Sequence, residues 1–142
     1  MMRNRIVTLS RAYSFSAAHY YHDPSLDDAA NARLFGKCAN QHGHGHNYRC
    51  EVQLRGVPAA ATGMLFDLRA LDRIMQETVL ERLDHRNLNA EVEAFATQQP
   101  TCENLAAFLW DTLVPQLPPG LLHAVRLYET DDLWAETRGE SR

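Results

Sequence analysis

Three histidines alternate behind a cysteine in the stretch LFGKCANQHGHGHNYRCEV, Leu34 to Val52, where His42, His44 and His46 follow Cys38. Residues two apart on an extended chain point the same way, so a pair of them can aim two ring nitrogens at one ion. His19, at the end of an earlier alternating run, supplies a third imidazole. Three histidines without a fourth protein ligand leave one position of a tetrahedral ion open for water or substrate, which is the pattern of a catalytic zinc. If Cys38 were the fourth ligand the site would be closed and structural. Against that, Cys38 sits in a polar loop with Gly36, Asn40 and Gln41, beside Lys37, the only lysine of the chain. A neighbouring cation favours the thiolate, and a thiolate near a metal-bound substrate is a candidate general base. Three separately satisfied core histidines would be the bland alternative, but it asks two core faces to absorb three polar rings.

The elements that must position these groups follow from periodicity. Arg5 to His19 reads as a strand with Val7, Leu9, Tyr13, Phe15, Ala17 and His19 on one face. Tyr20 to about Asn40 loses the pattern and reads as a long loop with room for a short helix after Pro24. A second strand begins at His44, with His44, His46, Tyr48, Cys50, Val52 and Leu54 on one side. Cys50 therefore reads as a small packing residue. Paired as a long-looped antiparallel hairpin, the two strands bring His19 and His44 to the same end. Asp67 can cap a helix carrying Leu68, Leu71, Ile74, Met75, Val79 and Leu83 inward and ending at LDHRN, and Thr101 can cap another that runs to Pro115. Two closing strands turn at Asp131–Asp132, and Glu129 shares the apolar face of Val125 and Leu127. The order implies an α+β domain, a four-stranded antiparallel sheet with two helices on one face.

A chain of 142 residues, 45% hydrophobic, suits one domain over residues 1–142 with its own core. MMRNRIVTLSRAY holds no apolar run of the kind a leader needs, and no segment reaches membrane-span length, so a cytoplasmic protein is expected. Three cysteines without framework spacing agree with a reducing compartment. A formal net charge of -4 and no basic run exclude a nucleic-acid groove or an anionic membrane as the main partner and leave a small molecule.

The segments FSAAH (Phe15–His19), LFGKC (Leu34–Cys38), HGHNY (His44–Tyr48), LDHRNLN (Leu83–Asn89), PTCEN (Pro100–Asn104) and YET (Tyr128–Thr130) together resemble the 6-pyruvoyl-tetrahydropterin and 6-carboxy-tetrahydropterin synthase family, in family order and across nearly the whole chain. The resemblance implies the tunnelling fold, in which sheets of neighbouring subunits join into a trimeric barrel and two trimers stack as a homohexamer. It implies a zinc (Zn2+) lyase with His19, His44 and His46 as ligands, Cys38 as base, and Asp84 and His85 as a proton relay. It also implies that Glu129 anchors the pterin ring across the pocket from the metal. Further substrate contacts are implied at Thr101, Cys102, Glu103 and Lys37, with Cys102 standing where the family usually has a small or hydroxyl residue.

The implied substrate is 7,8-dihydroneopterin triphosphate, and two outcomes are open: a pyruvoyl product on the way to tetrahydrobiopterin, or a carboxy product with release of acetaldehyde, for queuosine. In that resemblance the pyruvoyl type places five residues between the cysteine and His-Gly-His, the carboxy type three. Both registers exist here, since His44-Gly45-His46 follows Cys38 by five and His42-Gly43-His44 by three. Tyr48, two residues after His46, fits the first, which makes the pyruvoyl reading the leading one and His42 a rival ligand. A pterin-binding zinc protein without turnover is a further alternative, opposed by the joint presence of Cys38, Asp84 and His85.

Overall fold

The computed structural model describes residues 4–142, so the first three residues of the stretch read for a leader lie outside the described residues. Strand β1 (Val7–His19) is followed by helix α1 (Asp28–Phe35) and a 3-10 turn at Gly36–Ala39. Strand β2 (His44–Gly56) returns antiparallel to β1. Helix α2 (Leu68–Met75) runs through a π turn at Gln76–Leu80 into the short α3 (Glu81–Leu83). Then come β3 (Arg86–Asn87), α4 (Leu88–Glu91), α5 (Cys102–Leu113), β4 (Leu122–Thr130) and β5 (Leu133–Thr137).

The sheet has five strands in the order β3-β1-β2-β4-β5. This corrects the four-stranded antiparallel expectation: the added β3 pairs parallel with β1 at Ala17 and Ala18. Two residues are too short to show a period, so no pattern announces such a strand. The other four strands are antiparallel, as expected.

Alternation decides which face is buried. Phe15, Ala17 and His19 of β1, Tyr48, Cys50, Val52 and Leu54 of β2, and Val125 and Leu127 of β4 turn toward the helices. They meet Leu71, Met75, Val79 and Leu83 from the α2–α3 segment and Leu105, Leu109 and Leu113 from α5, in one contiguous core. Val7 and Leu9 share the parity of Phe15 but stay exposed, because the outer edge of β1 is uncovered except where β3 meets it. The opposite face is polar: Arg49 pairs with Glu51 and lies over the Tyr128 ring, and Arg126 pairs with Glu136.

Both expected caps are made. The Asp67 carboxylate accepts from Arg69 N–H at 2.9 Å, and the Thr101 hydroxyl accepts from Asn104 N–H at 3.2 Å. No helix among the described residues is long and apolar enough to cross a membrane.

Candidate metal centre and substrate site

The register of β1 against β2 sets His19 opposite His44 and Ala17 opposite His46, so three imidazoles share one face at one end of the sheet. Their candidate ligand atoms all lie within 4.8 Å of one another. His19 is fully buried, and its Nδ1–H donates to the Pro100 carbonyl at 2.8 Å, with the Tyr48 hydroxyl 3.1 Å from the same nitrogen. That bond fixes the tautomer and leaves the Nε2 lone pair facing His44 Nε2 at 3.1 Å. Two nitrogens bound at ~2.0–2.1 Å to a tetrahedral ion stand ~3.3–3.4 Å apart, so only a few tenths of an ångström separate this arrangement from coordination. Gly43 makes the approach possible: its φ is 79°, and a Cβ there would come 3.3 Å from the His19 carbonyl oxygen.

Electrostatics favours uncharged rings. Burial pushes His19 down to about 4, helped by His44 and His46 and opposed by the Pro100 bond. Burial also lowers His46. At neutral pH His19 and His46 are neutral, the form that binds a cation. His46 Nε2 is 3.4 Å from Glu129 Oε1, and both His46 Nε2 and Glu129 Oε2 are buried without a hydrogen-bond partner among the described residues. Buried polar atoms are rarely left so. A cation accepting the His46 lone pair and a ligand donating to Glu129 would satisfy both, so the residues present fit a metal ion with a substrate beside it.

Glu129 is 9% exposed, and burial raises its pKa, with Glu103 adding to the rise and His44 opposing it. Its place differs from expectation, since it stands against His46 rather than across the pocket from the metal ligands. The ladder between β2 and β4 ends at Arg49 and Tyr128, which brings Glu129 level with Tyr48 and diagonal to His46 on the same face.

The thiol-bearing turn is tied to the segment that follows His19, because Tyr21 N–H donates to the Cys38 carbonyl at 2.7 Å. The Tyr21 ring packs edge-on against His19, with centroids 5.1 Å apart, and against Phe35. Its phenol is pushed upward by burial first, then by Glu129, Cys38, Glu103 and Cys102. Sequence reasoning missed Tyr21, although it continues the odd parity of Phe15, Ala17 and His19.

Of the other expected residues, Cys38 is half-buried, Lys37 exposed and Glu103 exposed. Cys102 is buried, its Sγ donates to the Leu127 carbonyl at 3.4 Å, and burial raises the thiol to about 11, which suits packing. Cys50 is fully buried and pushed up to about 12. His42 is exposed in the turn before β2 and outside the histidine cluster. Asp84 and His85 are not among the grouped ligand atoms. Asp84 accepts from Ser16 N–H and pairs with His85 Nδ1 at 3.0 Å, while the His85 ring is largely exposed on a cleft of about 520 Å³ that it lines together with Ser16, Gly45, His46, Asn47 and Glu91. His85 also has a φ of 60°, an uncommon left-handed conformation, and its N–H donates to the Ser16 carbonyl.

Three imidazoles placed to hold a metal ion, a buried carboxylate beside them and a thiol on a tethered turn are the groups of an enzyme site for a small molecule. The family follows from comparison. The model for 6-pyruvoyl tetrahydropterin synthase matches residues 8–140, and the chain belongs to that family. It is 45% identical over 132 residues to the 6-pyruvoyl tetrahydrobiopterin synthase of Pongo abelii, covering 93% of this chain and 91% of that one. The Homo sapiens protein of the same name is 44% identical over 132 residues, with the same coverage, 93% and 91%. The solved structure of Caenorhabditis elegans 6-pyruvoyl tetrahydropterin synthase superposes with a TM-score of 0.91 at 42% identity, covering 99% of this chain and 100% of that one.

Proposed function

We propose that the protein is a zinc-dependent 6-pyruvoyl-tetrahydropterin synthase, a carbon–oxygen lyase that eliminates triphosphate from 7,8-dihydroneopterin triphosphate with internal transfer of hydrogen. The observation that carries this is the convergence of His19, His44 and His46 beside the unpaired Glu129. Relatives at 44–45% identity bear the name 6-pyruvoyl tetrahydrobiopterin synthase, and the exclusion of His42 from the cluster favours the pyruvoyl register over the carboxy one.

Zinc held by the three Nε2 atoms would supply Lewis acidity toward the hydroxyl oxygens of the substrate side chain. Glu129 accepts two hydrogen bonds from the 2-amino and N3 hydrogens of the pterin ring, which gives its buried oxygens their partners. The Cys38 thiolate removes a proton from a side-chain carbon, and a protonated group returns it one carbon away as triphosphate leaves, so no external oxidant or reductant is consumed. His85, oriented by Asp84, is the group for that return. Its exposed place beside the uncovered edge of β1 suits service to the site of an adjacent copy. The open edges of β5 and of β1 beyond its two residues paired with β3 support the joining of subunit sheets into a barrel, with a hexamer of two trimers as the assembly. All three cysteines are free, which fits a reducing compartment such as the cytoplasm.

Incubation of the zinc-loaded protein with 7,8-dihydroneopterin triphosphate tests the reading. Triphosphate release with a 6-pyruvoyl pterin product is expected. A 6-carboxy product with acetaldehyde, or pterin binding without release, would refute it.

A further inference from the structure

The segment Tyr20–Asp23 leaves β1 immediately after His19, and no strand of the sheet pairs with it. Its backbone is nevertheless bonded almost as a strand would be, by side-chain amides. Asn89 Oδ1 accepts from Tyr20 N–H at 3.0 Å while its Nδ2 donates to the Tyr20 carbonyl at 2.9 Å. Gln99 does the same for His22, at 3.0 and 2.7 Å, and buried Asn31 for Asp23, at 2.7 and 3.0 Å. Between the first two clamps, Tyr21 N–H takes the Cys38 carbonyl at 2.7 Å. Gln99 is itself anchored, since its carbonyl accepts from Asn104 Nδ2 at the start of α5, and it adjoins Pro100, whose carbonyl holds His19.

A side-chain amide sets an N–H donor beside a carbonyl acceptor, so each clamp reads the backbone in both directions and resists rotation of either. The shortest covalent and hydrogen-bonded route from the buried His19 to Cys38 passes through Tyr20 and Tyr21. We propose that Asn89 and Gln99 are positioning residues: by fixing Tyr20 and His22 they hold the Tyr21 N–H that sets the Cys38 turn relative to the metal ligands. This rests on the reading of Cys38 as the base. The clamp amides bond backbone groups and not the metal ligands' nitrogens, so the role assigned to them is the geometry of proton transfer and not binding. Misplacement of a reacting group by about 1 Å can cost on the order of 100-fold in rate.

The test uses zinc-loaded Asn89→Ala and Gln99→Ala, read by amide hydrogen exchange at Tyr21, by kcat and KM, and by zinc content. Exchange at Tyr21 should accelerate and kcat should fall by about ten-fold or more, with KM within about two-fold and zinc retained. Asn89→Asp and Gln99→Glu keep the acceptor for the N–H and lose the donor, so they should recover part of the protection and part of kcat. They carry the test if an alanine variant does not fold. Loosened exchange with unchanged kcat would overturn the proposal, as would unchanged exchange in both alanine variants. Cys38→Ala measured alongside keeps the failures apart: if it retains turnover the base assignment fails, whatever the clamps do.

Discussion

In Glu129→Gln the shape is kept while one carboxylate oxygen becomes an amide nitrogen, which cannot accept. Glu129 Oε2 is buried without a partner among the described residues and Oε1 stands 3.4 Å from His46 Nε2, so the group has acceptor capacity committed to no protein donor. A pterin ring presents two parallel N–H groups, and the amide can meet only one of them. A buried hydrogen bond to a charged group contributes ~1.5–3 kcal/mol, so pterin affinity should fall by about ten- to a hundred-fold. Stability should move the other way. Burial is the first cause of the raised Glu129 pKa, so removing the charge removes a cost of folding, and the melting temperature should hold or rise. Zinc content should not change, because the proposed ligands are the three imidazoles. Fluorescence titration with neopterin, metal analysis and oligomer mass on the one variant separate these effects. Unchanged pterin affinity with an altered oligomer would refute the anchor and make Glu129 an assembly residue.

Cys38→Ala should cost ~10²–10⁴ in turnover with zinc content and pterin affinity nearly intact, and steady-state kinetics that retain the wild-type rate would remove the thiol from the chemistry. His46→Ala should lose zinc and activity while His42→Ala keeps most of both, and the reverse pattern in metal analysis would mean the strand register is misread. The metal-free protein should lose stability as pH falls from about 6.5 toward about 4, because the unfolded chain protonates His19 at its ordinary value while the folded chain resists until about 4. Urea midpoints of chelated protein that stay flat across that window would contradict the buried neutral ring.

Strand parity made much of the site legible. His19, His44 and His46 fall on inward positions of two alternating strands, and pairing them end to end needs only the period of two, which the register of His19 against His44 bears out. The caps at Asp67 and Thr101 were readable for the same local reason, a short polar side chain just before a helical repeat. Parity gave Glu129 its face but not its depth, because the slide of β4 along β2 depends on the shift between Gln53 and Leu54. The arm from Tyr20 to Asp23 looked patternless since its partners are amides 8, 69 and 77 residues away, a pairing no local period encodes. Asp84 and His85 were recognisable by resemblance alone, and their exposure shows why a single chain's pattern could not assign them chemistry.

X-ray absorption at the zinc edge of the loaded protein addresses the open three-histidine centre most directly. Three imidazole nitrogens at ~2.0–2.1 Å with one further light ligand, and loss of that pattern in His46→Ala, are the expected result. A sulfur at ~2.3 Å would place Cys38 on the metal, close the site, and contradict both the catalytic centre and the free thiolate on which the proposed chemistry depends.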